Sequence, residues 1–166
     1  GPNTIAGFIM EPVVGTNGIL VPPPGFLQGV RALCDKYGIT MICDEVMSGF
    51  GRTGEWFAVD HWRVVPDLMT MAKGLTSAYV PLGAVGMRRA IADHFKDKVF
   101  WGGLTYNSHP LACAAALATL QVYEDDRPAF MGRIRDLGFQ FRGAAQSTML
   151  DDEPLRFMEL GMYLER

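Results

Sequence analysis

Two kinds of side chain in this sequence could do covalent chemistry: an acid and a lysine that each follow a short apolar run. Asp44 and its neighbour Glu45 end the run at residues 39–43, and Lys73 ends the run at residues 67–72. A lysine that lies among apolar neighbours has a lowered pKa and can form a Schiff base with a carbonyl group. The ordinary alternatives are an acid solvated at a loop and a lysine whose ammonium group reaches water.

Asp44 and Lys73 together indicate pyridoxal phosphate chemistry. Such a site needs a lysine for the cofactor's aldehyde and an acid that faces the pyridine nitrogen, because a protonated ring takes up the electrons of a carbanion. Both residues follow candidate strands, and ligands of parallel α/β sheets bind beyond the carboxyl ends of the strands. The spacing of the two residues leaves this interpretation a hypothesis.

The first part of the chain predicts a strand–helix–strand unit. Residues 4–10 form an apolar run that we interpret as a buried strand ending at Glu11, and residues 26–37 carry apolar side chains at helical spacing. Gly38 stands where the C-cap of that helix belongs. The run at 39–43 is apolar almost throughout, which suits a strand buried on both faces. A crossover of this size implies two parallel strands.

The remaining elements predict an α/β fold with a mostly parallel sheet flanked by helices. We expect further strands at residues 67–72 and 82–87, and helices at residues 88–95, 110–124, 130–141 and 155–165. Pro110 fits the first turn of its helix. That helix is apolar nearly all round, so we expect it to be buried or to lie in an interface.

Composition excludes several classes of protein. Apolar residues make up 49% and charged residues 20% of the 166 residues, which is typical of one globular domain. A net charge of −3 argues against a nucleic-acid partner. There is no apolar run long enough to span a membrane and no signal segment. The three cysteines stand singly, which indicates neither disulfides nor a metal site and favours a cytoplasmic location.

Five segments form a specific pattern along residues 5–125. In chain order they are IMEPVVGTNGILVPPPGFL, MICDEVMSGFGRTG, PDLMTMAKGL, VPLGAV and TYNSHPLACAAALA. This pattern resembles the class III aminotransferases, the omega-aminotransferase group, which are pyridoxal phosphate enzymes of fold type I. The segment TSAYVPLGA most resembles members that use pyruvate as the amino acceptor, including the taurine–pyruvate type.

The resemblance implies roles for four residues at a cofactor site. Lys73 of AKGL would hold pyridoxal 5'-phosphate as a Schiff base and afterwards move a proton between the substrate carbon and the cofactor. Asp44 of DEV would pair with the pyridine nitrogen, and Val46 would pack against the ring face. Thr105 would donate its hydroxyl to the cofactor phosphate, in this family across a dimer interface into the partner's site.

Two further residues lie near the site by the same resemblance. Glu11 of MEPV and Arg52 of GFGRTG would have structural or substrate-gating roles rather than chemical ones. Each has an ordinary alternative, because Glu11 could cap a turn and Arg52 could pair with a neighbouring acid such as Glu45. No Cys/His cluster accompanies any of these residues, so we predict no metal site.

The resemblance implies a pyridoxal phosphate-dependent aminotransferase that transfers an amino group from an omega-amino acid or amine to a 2-oxo acid such as pyruvate. Members of the family are much longer, so we expect residues 1–126 to be part of a cofactor-binding large domain and residues 127–166 to be a divergent helical tail. We expect weak cofactor binding and at least a dimer, with residues 111–122 as an interface helix. The alternative is an α/β assembly module derived from an aminotransferase that catalyses no reaction.

Overall fold

The computed structural model describes residues 1–148, and within them one sheet of four strands organises the chain. The strands are β1 (Gly7–Met10), β2 (Thr40–Asp44), β3 (Leu68–Met71) and β4 (Ala84–Met87), in that spatial order. The pairs β1–β2 and β2–β3 are parallel, whereas β4 runs antiparallel to β3. The predicted fold class, α/β with a mostly parallel sheet flanked by helices, is confirmed.

Within residues 1–148, four α-helices accompany the sheet: α1 (Phe26–Tyr37), α2 (Arg89–His94), α3 (Pro110–Asp125) and α4 (Arg127–Thr148). The predicted bounds of α1 are confirmed, and Gly38 caps it in the left-handed conformation with a φ of 66°. Helix α4 begins at Arg127 rather than at residue 130, because Pro128 lies in its first turn, where a missing N–H is tolerated. The helix expected at residues 155–165 lies outside the described residues.

Strand β2 is buried on one face only, which corrects the expectation of two buried faces. Met41 and Cys43 are fully buried and pack against Leu27 and Cys34 of α1. Residues with the opposite orientation, such as Asp44, are half-buried. Since side chains alternate between the two faces of a strand, β2 separates a closed core from a more open surface.

Strand β1 is exposed, so the expectation of a buried strand at residues 4–10 is wrong. Phe8 is 42% exposed and Ile9 is 62% exposed. The physical reason is the position of β1 at the edge of the sheet, where β2 is its one strand neighbour among the described residues. The apolar run therefore predicted that a strand is present here, but it did not predict that the side chains of this strand are exposed.

Helix α3 is buried on one side and exposed on the other. Ala116 and Tyr123 pack in a cluster with Phe50 and Leu75, at the end of the sheet where β2 and β3 finish. On the opposite side, three large apolar residues are each more than 60% exposed: Leu111, Leu117 and Val122. The helix thus contributes one face to the core and presents an apolar face to its surroundings.

Asp67 ties α1 to the sheet just before β3 begins. Its Oδ2 accepts hydrogen bonds of 2.8 Å from both Arg31 Nη1 and the backbone N–H of Met41, and Arg88 Nε lies 3.4 Å from Oδ1. Burial alone would raise the pKa of Asp67, but the Met41 and Arg31 hydrogen bonds outweigh it and hold the pKa below its usual value. One carboxylate therefore connects a helix and two strands.

Substituting asparagine for Asp67 should lower the free energy of unfolding by about 1–3 kcal/mol, because the neutral amide leaves Arg31 without its charge partner and puts an NH₂ group, which cannot accept, in place of one carboxylate oxygen. The lowered pKa means that this stabilisation is present at neutral pH and is lost as the pH falls below about 4. Urea unfolding at pH 7 and pH 3 measures both effects. Asp35→Asn is the control, since Asp35 is an exposed partner of the same arginine; equal losses in the two variants at pH 7 would contradict the assignment.

Candidate active site

The sheet brings the two predicted catalytic residues to the same edge. Asp44 is the last residue of β2 and is in register with Thr70 of the parallel strand β3. The backbone N–H of Glu45 continues the pairing by donating to the Thr70 carbonyl at 2.9 Å. Lys73 follows the end of β3 and begins a short 3-10 turn, Lys73–Leu75. Asp44 and Lys73 therefore come from neighbouring strands at the carboxyl edge of the sheet, as the sequence predicted.

Lys73 lines a cavity of about 560 Å³, which is within the size range of small-molecule sites. The cavity lies between the loop after β2, the turn after β3 and the helices α3 and α4, which contribute Phe50, Gly74, Tyr123 and Phe130 to its wall. The side chain of Lys73 is exposed in this cavity. The expectation of a lysine desolvated among apolar neighbours is therefore wrong for the chain as described, because the cavity is open around it.

Backbone strain is concentrated around the same cavity. Phe50, Lys73, Ser77 and Ala78 all have positive φ angles, between 39° and 64°, and all four line it. This conformation is uncommon in residues other than glycine and persists only where the surroundings hold it. No sequence pattern predicted it, although each of Phe50 and Lys73 is followed by a glycine.

Asp44 is half-buried and is not one of the residues that line the cavity. The N–H of Val46 donates to Asp44 Oδ1 at 2.9 Å, which fixes the carboxylate in a tight turn after β2. Among the described residues no donor bonds to the other oxygen, Oδ2, which leaves it available to an N–H group of a ligand. Val46 itself is half-buried in the same turn.

Glu11 has the structural role that its ordinary alternative predicted. Its Oε2 accepts a 2.9 Å hydrogen bond from the backbone N–H of Gly15, so the side chain caps the turn that follows β1. The loop formed in this way packs against Met47, which lines the cavity. Glu11 thus supports the wall of the cavity from behind.

Arg52 is exposed and lines the cavity together with Lys73. The alternative pairing of Arg52 with Glu45 is wrong, because Glu45 is fully buried and its oxygens bind other donors. The guanidinium therefore stands at the cavity surface, where it could meet an anionic group of a substrate.

Thr105 lies outside the cavity, in an exposed turn at residues 105–108. The large apolar side chains around it are also exposed, with Trp101 at 93%, Leu104 at 77% and Tyr106 at 80%. Within one chain this loop does not bring Thr105 to Lys73. The role in a partner's site that the resemblance implies stays a prediction.

Glu45 is a buried acid directly after β2, and the sequence did not distinguish it from Asp44. Its carboxylate accepts hydrogen bonds from Ser48 Oγ at 2.5 Å and from the backbone N–H groups of Ala58 and Val59 at 3.1 and 2.9 Å. These bonds tie the end of β2 to the 3-10 helix Ala58–Trp62. Burial raises the pKa of the Glu45 carboxyl, and the three hydrogen bonds oppose that rise.

Glu45→Gln should lower the free energy of unfolding by about 1–3 kcal/mol at pH 7, since the amide nitrogen would face a donor instead of accepting from it. Because the folded-state pKa lies above the ordinary 4.5, the folded state binds the extra proton, and the wild-type chain should lose stability as the pH rises from about 4.5 through that pKa. Urea unfolding across pH 4–8 measures this slope. Glu45→Gln should lose this fall in stability above pH 4.5, whereas Glu124→Gln, an exposed control, should keep it; a pH dependence unchanged in Glu45→Gln would refute the assignment.

Across residues 1–148 no group of three or more His, Cys, Asp and Glu side chains is placed to hold a metal ion. No helix in that part of the chain has the length and apolar character needed to cross a membrane.

The donor set fits the ring and aldehyde end of pyridoxal phosphate. Lys73 offers an accessible primary amine in a cavity of suitable size, and Asp44 offers a carboxylate oxygen at the neighbouring strand end. An amine for the aldehyde and an acid for the ring nitrogen are the two groups that this cofactor requires of a protein. The phosphate end is less complete, since Thr105 stands on the exposed loop.

Comparisons with known proteins agree on one family. The family model "Aminotransferase class-III" matches residues 1–151. An omega-aminotransferase of Caulobacter vibrioides is 50% identical over 129 residues, which is 75% of this chain and 29% of that protein.

Solved structures give the same result. An (S)-enantioselective omega-transaminase from Thermomicrobium roseum aligns with a TM-score of 0.72 at 50% identity over 76% of this chain. A taurine:2-oxoglutarate aminotransferase from Bifidobacterium kashiwanohense, solved in complex with PLP and glutamate, aligns with a TM-score of 0.83 at 48% identity over 89% of this chain. The chain spans 29% to 32% of the length of these relatives.

Proposed function

This chain belongs to the class III aminotransferase family, and we propose on that basis that it takes part in pyridoxal phosphate-dependent transamination. The amino group would pass from an omega-amino acid or amine to a 2-oxo acid such as pyruvate. The observation that carries the proposal is the placement of Lys73 in a cavity at the carboxyl edge of the sheet, one strand away from Asp44.

Each predicted residue has a defined task in this proposal. Pyridoxal phosphate, when bound, supplies a ring that takes up the electrons of a substrate carbanion. The Nζ atom of Lys73 would bind the cofactor's aldehyde carbon and later accept and return the proton of the substrate carbon. The Oδ2 atom of Asp44 would hold a negative charge against the ring nitrogen and keep it protonated. Val46 would pack against the ring face.

The relatives and the cavity support the proposed substrate class. Two of the similar proteins are named omega-aminotransferase or omega-transaminase, and a third is named a taurine:2-oxoglutarate aminotransferase. Arg52 places a cation at the cavity surface, and we propose that it gates the entry of an anionic substrate. We propose pyruvate as the acceptor, as the segment TSAYVPLGA implied, with 2-oxoglutarate as the competing possibility.

We also propose that the working form is at least a dimer. Support comes from the exposed apolar side chains that flank Thr105 and from the exposed face of α3, since large exposed apolar patches are typical of interfaces. In such a dimer Thr105 would reach the cofactor phosphate of the partner's site. Sedimentation at micromolar concentration tests this directly, and a monomer would refute it.

An assay of amino-group transfer tests the proposed function. The chain is incubated with pyridoxal phosphate, a panel of omega-amino acids and amines, and either pyruvate or 2-oxoglutarate, and the alanine or glutamate formed is quantified. Alanine formation with pyruvate is the expected result. Formation of glutamate alone would show that 2-oxoglutarate, and not pyruvate, is the acceptor. If neither product forms with any donor, the result would favour the non-catalytic assembly module.

A further inference from the structure

The turn that carries Lys73 is held by a tyrosine from a distant helix. Tyr123 of α3 is 8% exposed, and its hydroxyl donates to the backbone carbonyl of Gly74 at 3.0 Å. Ser77 Oγ lies 2.9 Å from the same hydroxyl oxygen. Because a phenol has one hydrogen to donate, Ser77 is the donor in the second bond. One hydroxyl therefore joins residues on both sides of the turn.

Phe50 closes the opposite side of the same turn. A β-carbon added at Gly74 would lie 2.8 Å from Phe50 Cβ, so the backbone of Gly74 approaches Phe50 more closely than any other residue type would allow. The rings of Phe50 and Tyr123 stack with centroids 6.1 Å apart. The Lys73–Gly74 backbone is thus clamped between two aromatic residues from different parts of the chain.

This clamp acts on a strained residue. Lys73 has a φ of 39°, a conformation that a residue with a side chain adopts only when its surroundings impose it. Within the turn, the carbonyl of Lys73 accepts from Thr76 N–H and that of Gly74 from Ser77 N–H, each at the long distance of 3.3 Å. These long backbone bonds alone are weak support for a strained start of the turn.

We propose that Tyr123 is a positioning residue for Lys73: its hydroxyl holds the Gly74 carbonyl and so keeps the lysine amine directed into the cavity. The inference rests on the proposed function only in the role that it gives to the Lys73 amine. Tyr123 itself would donate no hydrogen bond to substrate or cofactor, because its hydrogen is already donated to Gly74.

The competing interpretation is that Tyr123 serves only as core. Its ring also packs against Trp56 and Phe130, with centroids 5.7 and 5.1 Å apart. Tyr123→Phe separates the two interpretations, because it keeps the ring and removes only the hydroxyl. Tyr37→Phe on α1, far from the cavity, is the matched control.

Hydrogen exchange of the cofactor-free chain gives the first readout. In Tyr123→Phe the amides of Leu75, Thr76 and Ser77 should exchange about three- to tenfold faster, as expected for the loss of one hydrogen bond, while the amides of β2 keep their wild-type rates. Faster exchange in β2 by the same factor would show a general loss of stability and overturn the proposal. Unchanged exchange at residues 75–77 would also overturn it.

Cofactor attachment gives the second readout. The chain is treated with pyridoxal phosphate and borohydride, and the modified fraction of Lys73 is determined by peptide mass spectrometry. In Tyr123→Phe the concentration that gives half-modification should rise about three- to tenfold, whereas Tyr37→Phe should match the wild type. If the wild type itself is not modified at Lys73, the proposed function fails, but the exchange comparison still decides the role of Tyr123.

Ser77→Ala provides the intermediate case. It removes the bond from Ser77 to Tyr123 and keeps the bond from Tyr123 to Gly74, so its effect on both readouts should be in the same direction and smaller. If Tyr123→Phe does not fold, the wild type decides: the Tyr123 hydroxyl proton that is donated to Gly74 should exchange slowly enough to give a resolved NMR signal, and its absence would overturn the proposal.

Discussion

Replacing Lys73 by alanine is expected to lower the rate of amino-group transfer by about 10²–10⁴-fold, because the chain loses both the amine that binds the cofactor aldehyde and the base that moves the substrate proton. Lys73 is suited to both tasks by its place in the cavity at the carboxyl edge of the sheet. The rate of product formation at saturating cofactor, compared with the wild type under the same conditions, measures the loss.

Two control variants make this result specific to the amine at residue 73. Lys36→Ala removes an exposed lysine at the end of α1 and should leave the rate unchanged. Lys73→Arg keeps a positive charge in the cavity but cannot form a Schiff base at neutral pH, so it should be as inactive as Lys73→Ala. Transfer retained in Lys73→Arg would contradict the covalent role.

Asp44→Asn is expected to lower the same rate by about 10²–10³-fold, the usual loss when a preorganised electrostatic partner of the reacting group is removed. The asparagine can still accept the hydrogen bond from Val46 at one oxygen, so the turn after β2 should persist. What is lost is the negative charge that would keep the ring nitrogen protonated. The loss should therefore appear in the rate and only weakly in the free energy of unfolding.

The neighbouring acid supplies the matched control for that substitution. Glu45→Gln should show the reverse pattern, a lower free energy of unfolding with a wild-type rate at temperatures where the variant is folded, because Glu45 points into the core on the other side of β2. Asp44→Glu, which restores the charge, should recover part of the rate. Equal rates in Asp44→Asn and Glu45→Gln would show that Asp44 has no special role in the reaction.

The sequence predicted those parts of the fold that depend on local chemistry. Apolar residues at helical spacing and a glycine at the C-cap set the bounds of α1, since both signals act within a few residues. The strand–helix–strand order implied parallel strands, and parallel strands bring Asp44 and Lys73 to one edge. The meeting of these two residues at one edge of the sheet could therefore be predicted before the structure.

The parts that the sequence could not predict depend on contacts between distant residues. Asp44 and Glu45 are adjacent acids, and only the alternation of β2, with Met41 and Cys43 facing α1, decides which of them is buried. An uninterrupted apolar run does not show that alternation. The bond from Tyr123 to Gly74 joins residues far apart in sequence, and the exposure of Lys73 depends on how closely α3 and α4 cover the cavity.

The most direct test of the central claim is an absorbance titration of the purified chain with pyridoxal phosphate, followed by borohydride reduction and peptide mapping. The account predicts a saturable new absorbance band, and a reduced cofactor found on Lys73 in the wild type and in Lys36→Ala. In Lys73→Ala both should be absent. A band that is unchanged in Lys73→Ala, or label confined to other lysines, would contradict the assignment of Lys73 and with it the proposed active site.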